Sequence, residues 1–566
     1  GPLVVLAGPG TGKTRTLTYR LALMLARGKA RSDQILAITF TNKAAEELRS
    51  RIDNLCLGIN LSSPPRVTTF HGFCFRFLRD HLSLPFQLLA EQEAQTFLRE
   101  TVKTLRPDFP GNQIKELGRR ISLVKNTFTN SESSGNLPSW EDHPEWGALY
   151  RAYQGKMVEN QLIDFDDLLL KTILMLENDP VLLKQLQNRF PYVFVDEFQD
   201  INPAQYRLFE LLTRPEGEWM IIGDPNQAIY GFRGASAGFF LAAKSRSPSL
   251  KEIILSDTFR VPGKLLKASL QVLAGSPGNH IFPMRARNQG ELKIPVAALS
   301  WAEEEAEYIA GLIGKEMGGL DFNSTSSESS IAAPRGFADF AVLYRLHAQG
   351  ERFAQVFSKK GIPFKIVREI HWAERPEIRT CLRLLRSLPG LSLSPLEALA
   401  QVLSRDNPDL HPKVLEGIEA LKKLHLWAST FKGPLEEFLE ILAIQTGLDT
   451  YEPDQETVKL MTLHSAKGLE FQVVFMAGCE ENLLPLSLLK ESDTEEERRL
   501  FYVGMTRPRE KLFFSWAKRR TLFGHKLVQS ISPFIEDIDG SLKERAGLTL
   551  KPQVKPPRKK QLSLFK

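Results

Sequence analysis

The chain has 566 residues and a formal net charge of +6, too long for one hydrophobic core and enough for three or four compact units. Residues 551–566 hold six basic residues and no acid, so the rest of the chain is neutral overall, which excludes a global positive field as the means of holding nucleic acid and leaves only a local groove. No apolar run reaches the roughly 20 residues of a membrane-spanning helix, and Cys56, Cys74, Cys381 and Cys479 have no zinc, iron–sulfur or disulfide spacing; a reducing cytoplasm is the expected compartment.

Strand character begins at residue 3, directly before a glycine-rich loop. A core strand seldom opens a natural chain so abruptly, so sequence upstream of Gly1 is expected. LVVLA and ILAITF read as buried parallel strands, with RTLTYRLALMLARG as the helix between them, closed by Gly28. This βαβ order predicts an α/β sheet. EQEAQTFLRETVKTLR and IKELGRRISLVKNTF read as helices, and TNSESSGNLPSWEDHPEW as a loop. Strands return at YVFVDE and WMIIGD. A second α/β block carries IILSDTF, ELKIPVAAL and FADFAVLYR, with the Ser-rich MGGLDFNSTSSESSIAAPRG expected as a mobile loop. Residues 371–452 turn helical again, and Ser394-Pro395-Leu396-Glu397 has capping-box spacing. TVKLMTLH and FQVVFMAG restore the strands. No short repeat is present. The expected organisation is α/β: a first domain of residues 1–84 and 164–252 around a helical insertion at 85–163, and a second of 253–370 and 453–550 around a short helical insertion at 371–452. Residues 551–566 form a basic tail.

AGPGTGKT comprises Ala7, Gly8, Pro9, Gly10, Thr11, Gly12, Lys13 and Thr14. Between a strand and a helix this is a phosphate-binding loop. Its glycines let backbone N–H groups turn toward phosphates, and the following helix presents its positive end. Lys13 is expected to reach the β- and γ-phosphates and Thr14 to ligate Mg²⁺; the bland alternative is a glycine-rich turn with no ligand. YVFVDEFQD ends a buried strand in Asp196 and Glu197, at the carboxyl edge where open α/β sheets bind ligands. Asp196 is expected to hold Mg²⁺ and Glu197 to polarise the attacking water. In LIDFDDLLLK, Asp164, Asp166 and Asp167 admit a second metal site, but a capped helix start suits them better.

Together DEFQD, GDPNQAIYGFRGA, TFTNKAAEELRSRI, HSAKGLEF and RRLFYVGMTRPREKL resemble the motifs of superfamily-one DNA helicases of the UvrD, Rep and PcrA type, in that family's order and over nearly the whole chain. The resemblance implies two RecA-like P-loop motor domains with ATP and Mg²⁺ between them. It also implies 3′-to-5′ movement on single-stranded DNA and action at single-strand/duplex junctions, in repair or replication. It matches Arg260 and Arg507 to arginine fingers, Gln227 to the γ-phosphate sensor, Glu470 to the ribose contact and Phe259 to the adenine-stacking position, where the family usually has tyrosine. It matches Phe40, His71, Tyr230, Phe232 and Arg233 to DNA contacts, and aromatic faces accept any base. IYGFRG is glycine-flanked, which predicts exposed loop positions for Tyr230 and Phe232. Phe40 ends a core strand and could nearly as well be a core residue; His71 could also sit in the core, but the motif match favours DNA. The family's adenine-reading segment lies upstream of the phosphate loop, outside this chain.

The tail ends in QLSLF, which resembles the short motif by which bacterial proteins bind the replication sliding clamp. Gln561 would contact the rim, and Leu562, Leu564 and Phe565 would fill an apolar cleft. The preceding KPQVKPPRKK suits an extended tether. The rival readings are a clamp-tethered translocase that strips proteins with little unwinding and a scaffold that binds DNA without hydrolysis.

Overall fold

The computed structural model describes residues 1–546 except 58, 60–62, 83–84, 128–142, 277, 279, 291, 319–334, 368–375, 387, 389–392, 405–417, 432–434, 436–437, 440–441, 443–454, 488–492 and 523. Most of the expected Ser-rich loop, most of the expected loop at 129–146 and the tail lie outside the described residues. The strands are β1 (Leu3–Ala7), β2 (Ile35–Thr39), β3 (Arg66–Thr69), β4 (Gln87–Leu88), β5 (Leu162–Ile163), β6 (Tyr192–Val195), β7 (Glu218–Gly223), β8 (Lys251–Leu255), β9 (Asp257–Thr258), β10 (Arg285–Ala286), β11 (Ile294–Trp301), β12 (Phe340–Tyr344), β13 (Phe364–Ile366), β14 (Val458–Thr462), β15 (Phe471–Met476), β16 (Pro508–Leu522), β17 (His525–Val528) and β18 (Lys543–Ala546).

The first sheet has the order β3-β2-β6-β7-β1-β8, all parallel. Its inner strands β2, β6, β7 and β1 are nearly continuous apolar runs because both faces are covered. Leu3 and Val5 pack with Leu17, Leu21, Leu48 and Ile52 of the helices Lys13–Ala26 and Asn42–Leu55. Val4 and Leu6 point the other way, into a core with Phe73, Leu168 and Leu208 of three further helices. The residue alternation of a strand thus builds two cores from one sheet. The boundary expected at 252/253 falls inside β8, which pairs with β1 from Leu3↔Lys251 to Ala7↔Leu255. The chain crosses to the second domain after that strand.

The second sheet runs β13-β14-β12-β15-β16-β11-β18, with β17 antiparallel on β16. Phe340, Val342 and Tyr344 face Ile309, Ile313, Phe353 and Phe357; Ala341 and Leu343 face Leu265, Val272, Leu500 and Val503. Each domain carries its helical insertion with a separate core. One contains Leu98, Leu117, Trp146 and Tyr153; the other contains Leu382, Leu399 and Leu424. Ser394 caps the helix Pro395–Val402 in a capping box with Glu397.

The helix Pro144–Glu159 corrects part of the expected loop. Pro144 sits at its first turn, where the missing N–H is no loss, and Trp146 is 1% exposed with His143 stacked on it. The four cysteines are free and buried. Among the described residues no helix is long and apolar enough to cross a membrane.

Candidate active site between two motor domains

The phosphate loop leaves β1 and enters the helix Lys13–Ala26 through Gly10 and Gly12, whose φ values of 71° and 87° lie in the left-handed region that glycine adopts without steric cost. Beneath the loop, Thr14 Oγ1 donates to Asp196 Oδ2 at 3.3 Å. A hydroxyl and a carboxylate side by side are hard oxygen donors of the kind Mg²⁺ takes, so the residues present fit the expected ion. Lys13 Nζ stands 3.2 Å from Glu197 Oε2, and Gln199 Nε2 donates to the same oxygen at 2.7 Å.

Glu197 itself has φ 50°, a conformation that costs a non-glycine residue roughly 1–3 kcal/mol. Burial pushes its carboxyl up, but Lys13 and Lys467 hold it down to about 2. Neighbouring Asp196 moves the other way, to about 7, through burial and then the charge of Glu197. Two adjacent carboxylates therefore differ in proton affinity by environment alone, with Glu197 the one held ionised.

The second domain closes over this loop through main-chain and side-chain contacts. Thr258 Oγ1 donates to the Pro9 carbonyl at 2.7 Å, and Phe259 N–H to the Gly10 carbonyl at 2.9 Å. A Cβ added to Gly10 would stand 2.4 Å from the Cβ of Arg260. Arg507, 1% exposed, brings Nη2 to 3.3 Å from Gln227 Oε1, while Gln227 Nε2 donates to buried Asp224 at 2.7 Å. Burial, and then the charge of Arg260, lowers Arg507 to about 9. Arg260 pairs with Glu470 at 2.5 Å, and Arg509 binds the same carboxylate. The residues expected at γ-phosphate and ribose thus engage each other here. Phe259 presents a ring that is 70% exposed.

Of the expected DNA contacts, Phe232 is 64% exposed, in the short turn Gly231–Arg233. The exposure expected for Tyr230 is corrected: it is 3% exposed. Its ring stacks on Phe40 at 5.3 Å, and the ammonium of Lys467 lies 5.1 Å from its centroid. The glycines around it suggested a free loop, but the ring packs into the core of the second domain. Half-buried His71 meets Phe165 edge-on at 5.9 Å.

Sequence reasoning missed Lys467 and Arg499. Lys467 binds Asp200 and donates to the Gln227 carbonyl at 2.5 Å. Arg499 Nε donates to the Ala228 carbonyl at 2.8 Å. Both cross from the second domain to the first. Lys467 lies inside the quoted HSAKGLEF, where a lysine before a glycine was the available signal. The acidic block forms a helix cap: Asp164 accepts from the Asp167 N–H at 2.9 Å, and Lys125 Nζ stands 2.6 Å from Asp164 and 2.9 Å from Asp167, filling the space a second metal would need.

Two parallel-sheet domains closed on one phosphate loop, with a buried arginine of the second bonded to a glutamine of the first, define a two-domain P-loop ATPase motor. The chain belongs to the UvrD-like helicases: the UvrD/REP helicase N-terminal domain matches residues 1–248, and the UvrD-like helicase C-terminal domain matches residues 253–431 and 416–519. Among its relatives, the ATP-dependent DNA helicase PcrA of Bacillus subtilis is 29% identical over 96% of this chain and 84% of its own length. PcrA of Staphylococcus epidermidis is 29% identical over 99% of this chain and 88% of its own, and PcrA of Staphylococcus aureus 28% identical over 100% and 88%.

Proposed function

We propose that this chain is an ATP-dependent DNA helicase and translocase that moves 3′ to 5′ on single-stranded DNA and separates duplex at junctions, in repair or replication. The observation that supports this most is the two-sided cleft: Lys13, Thr14, Asp196 and Glu197 from one domain, Arg260 and Arg507 from the other. Glu197, held ionised, polarises the attacking water. Lys13 reaches the β- and γ-phosphates. Arg260 and Arg507 neutralise charge that develops in the transition state, an effect worth roughly 10³ to 10⁵ in rate for an arginine finger. Thr14 and Asp196 would hold Mg²⁺, which would supply further neutralisation of phosphate charge. Gln227 carries the presence of γ-phosphate to Arg507, so nucleotide binding favours closure and release favours opening.

On the DNA side, Phe232 offers an open ring for base stacking, beside Arg233 in the same turn. Phe40 and Tyr230 reach bases once their mutual stack opens, and His71 joins them on the first domain. Alternating grip by the two domains converts closure into directed steps. The direction rests on the family resemblance. The tail residues Gln561, Leu562, Leu564 and Phe565 recruit the motor to the sliding clamp; the sequence motif supports this.

Displacement of a duplex bearing either a 3′ or a 5′ single-stranded tail tests the reading, with unwinding expected from the 3′ tail only. Unwinding from the 5′ tail overturns the direction. DNA-stimulated ATPase without unwinding would establish the stripping translocase instead, and no ATPase the scaffold.

A further inference from the structure

The helix Thr494–Met505 of the second domain meets the loop 227–231 of the first at both ends and in the middle. Just past its last residue, Arg507 Nη2 stands 3.3 Å from Gln227 Oε1. From its middle, Arg499 Nε donates to the Ala228 carbonyl at 2.8 Å. In its first turn, Glu496 Oε1 accepts from the Gly231 N–H at 3.2 Å. Gly231 opens the turn that carries Phe232 and Arg233. One rigid helix therefore grips a loop that has the buried Gln227 at one end and the exposed Phe232 ring at the other.

Three acids in a row open this helix, but their partners differ. Glu495 accepts from Ser276 Oγ at 2.8 Å. Glu497 pairs with Arg345 at 2.7 Å and accepts from the Leu486 N–H at 3.1 Å. Both bonds stay within the second domain, and Glu496 alone of the three crosses to the first. Negative charge in a first turn complements the helix dipole wherever the side chain points, so the dipole accounts for three acids but not for the crossing.

The far side of the contact is shaped to receive it. The turn closes on its own carbonyls: Tyr230 accepts from the Ala235 N–H at 3.1 Å and Gly231 from the Gly234 N–H at 2.8 Å. The Gly231 N–H is the first donor of the turn, and first donors have no partner inside a helical turn. Glu496 supplies one, as a charge-assisted bond. Gly231 takes no left-handed φ, so its lack of a side chain serves clearance instead. A Cβ added there would run into Glu496 Oε2 and lie 3.1 Å from its Cδ. A carboxylate on a flexible stem can swing aside, so a side chain at 231 would displace Glu496 and leave the turn in place. Phe232 itself meets Tyr230 and His464 edge-on, each at 6.0 Å.

We propose that Glu496 is a positioning residue for DNA: by holding the Gly231 N–H it sets the turn that offers Phe232 to a base, and it ties that stacking platform to the helix of the second domain. The inference rests on the reading of Phe232 as a DNA contact.

The test titrates the full chain with single-stranded DNA, following ATPase half-saturation and equilibrium binding of a labelled oligonucleotide. E496A and G231A should each raise half-saturating DNA at least about fivefold and leave DNA-free ATPase unchanged. The double variant should do no more than either alone, because both changes break one contact. E496Q keeps an accepting oxygen and should stay within about twofold of the unaltered protein. Unchanged DNA dependence in E496A, additive losses in the double variant, or a loss in E496Q equal to that in E496A overturns the proposal. F232A separates the two readings. Weaker DNA binding in F232A with E496A unaffected overturns the positioning role alone, whereas unchanged binding in F232A overturns the stacking reading and the positioning role with it.

Discussion

Lys13 and Glu197 share one ion pair at 3.2 Å, yet they should fail differently when altered. On the proposed mechanism Lys13→Ala removes the contact to phosphate, and both ATP affinity and turnover should fall, turnover by about 10² or more. Glu197→Gln keeps the shape of the side chain and removes only the base; turnover should fall by about 10² to 10⁴ while ATP still binds. Steady-state ATPase beside equilibrium nucleotide binding separates the two, and full ATPase in Glu197→Gln would remove that residue from the chemistry. Gly10→Ala should be as damaging as either, although it carries no functional group. Its φ of 71° costs an L-residue roughly 1–2 kcal/mol, and its new Cβ would strike Arg260 2.4 Å away. Nucleotide affinity, measured directly, should drop. At this scale the phosphate loop and the acidic strand end were legible because each is a local pattern. Tyr230 was not, since its burial depends on Phe40, Lys467 and a core that lie far off in sequence.

Among the elements, LIDFDDLLLK shows what a charge-rich segment can conceal. Asp164 starts the helix Phe165–Asn178 as its cap, as the spacing suggested. The partner did not follow from spacing: Lys125, 1% exposed, comes from the insertion helix Gly111–Thr127, and Asn126 beside it bonds Asp166 at 2.7 Å and Asn202 at 2.7 Å. The insertion is thereby fastened to the motor domain. Lys125→Met should leave two buried carboxylates without their cation and destabilise the junction by about 3–5 kcal/mol. Thermal unfolding should show a lowered first transition, and hydrogen exchange should place the loss at the insertion helix. The strands were the most readable elements, because parallel strands buried on both faces become uninterrupted apolar runs. The edge strand β8 was the hardest to assign. It is largely exposed, and only its pairing with β1 fixes which domain owns it.

For the whole molecule, the clamp proposal treats recruitment and motion as separable. Deleting residues 561–565 should abolish retention on an immobilised sliding clamp and leave DNA-stimulated ATPase intact; unchanged retention would sink the clamp reading. Motion itself depends on how the chain passes between domains. The last residue of the first sheet is Leu255, and Arg260 follows five positions later, beside the Thr258 and Phe259 contacts to the phosphate loop. Arg507 reaches the same cleft from the end of the helix Thr494–Met505, far along the second domain. When one body rotates on another, a point moves in proportion to its distance from the pivot. Arg260 is mounted almost on the axle and Arg507 on the swinging panel. Opening the cleft should therefore leave Arg260 near its post beside the nucleotide while Arg507 withdraws, so that one arginine serves as a fixed rim and the other as the shutter that times each stroke.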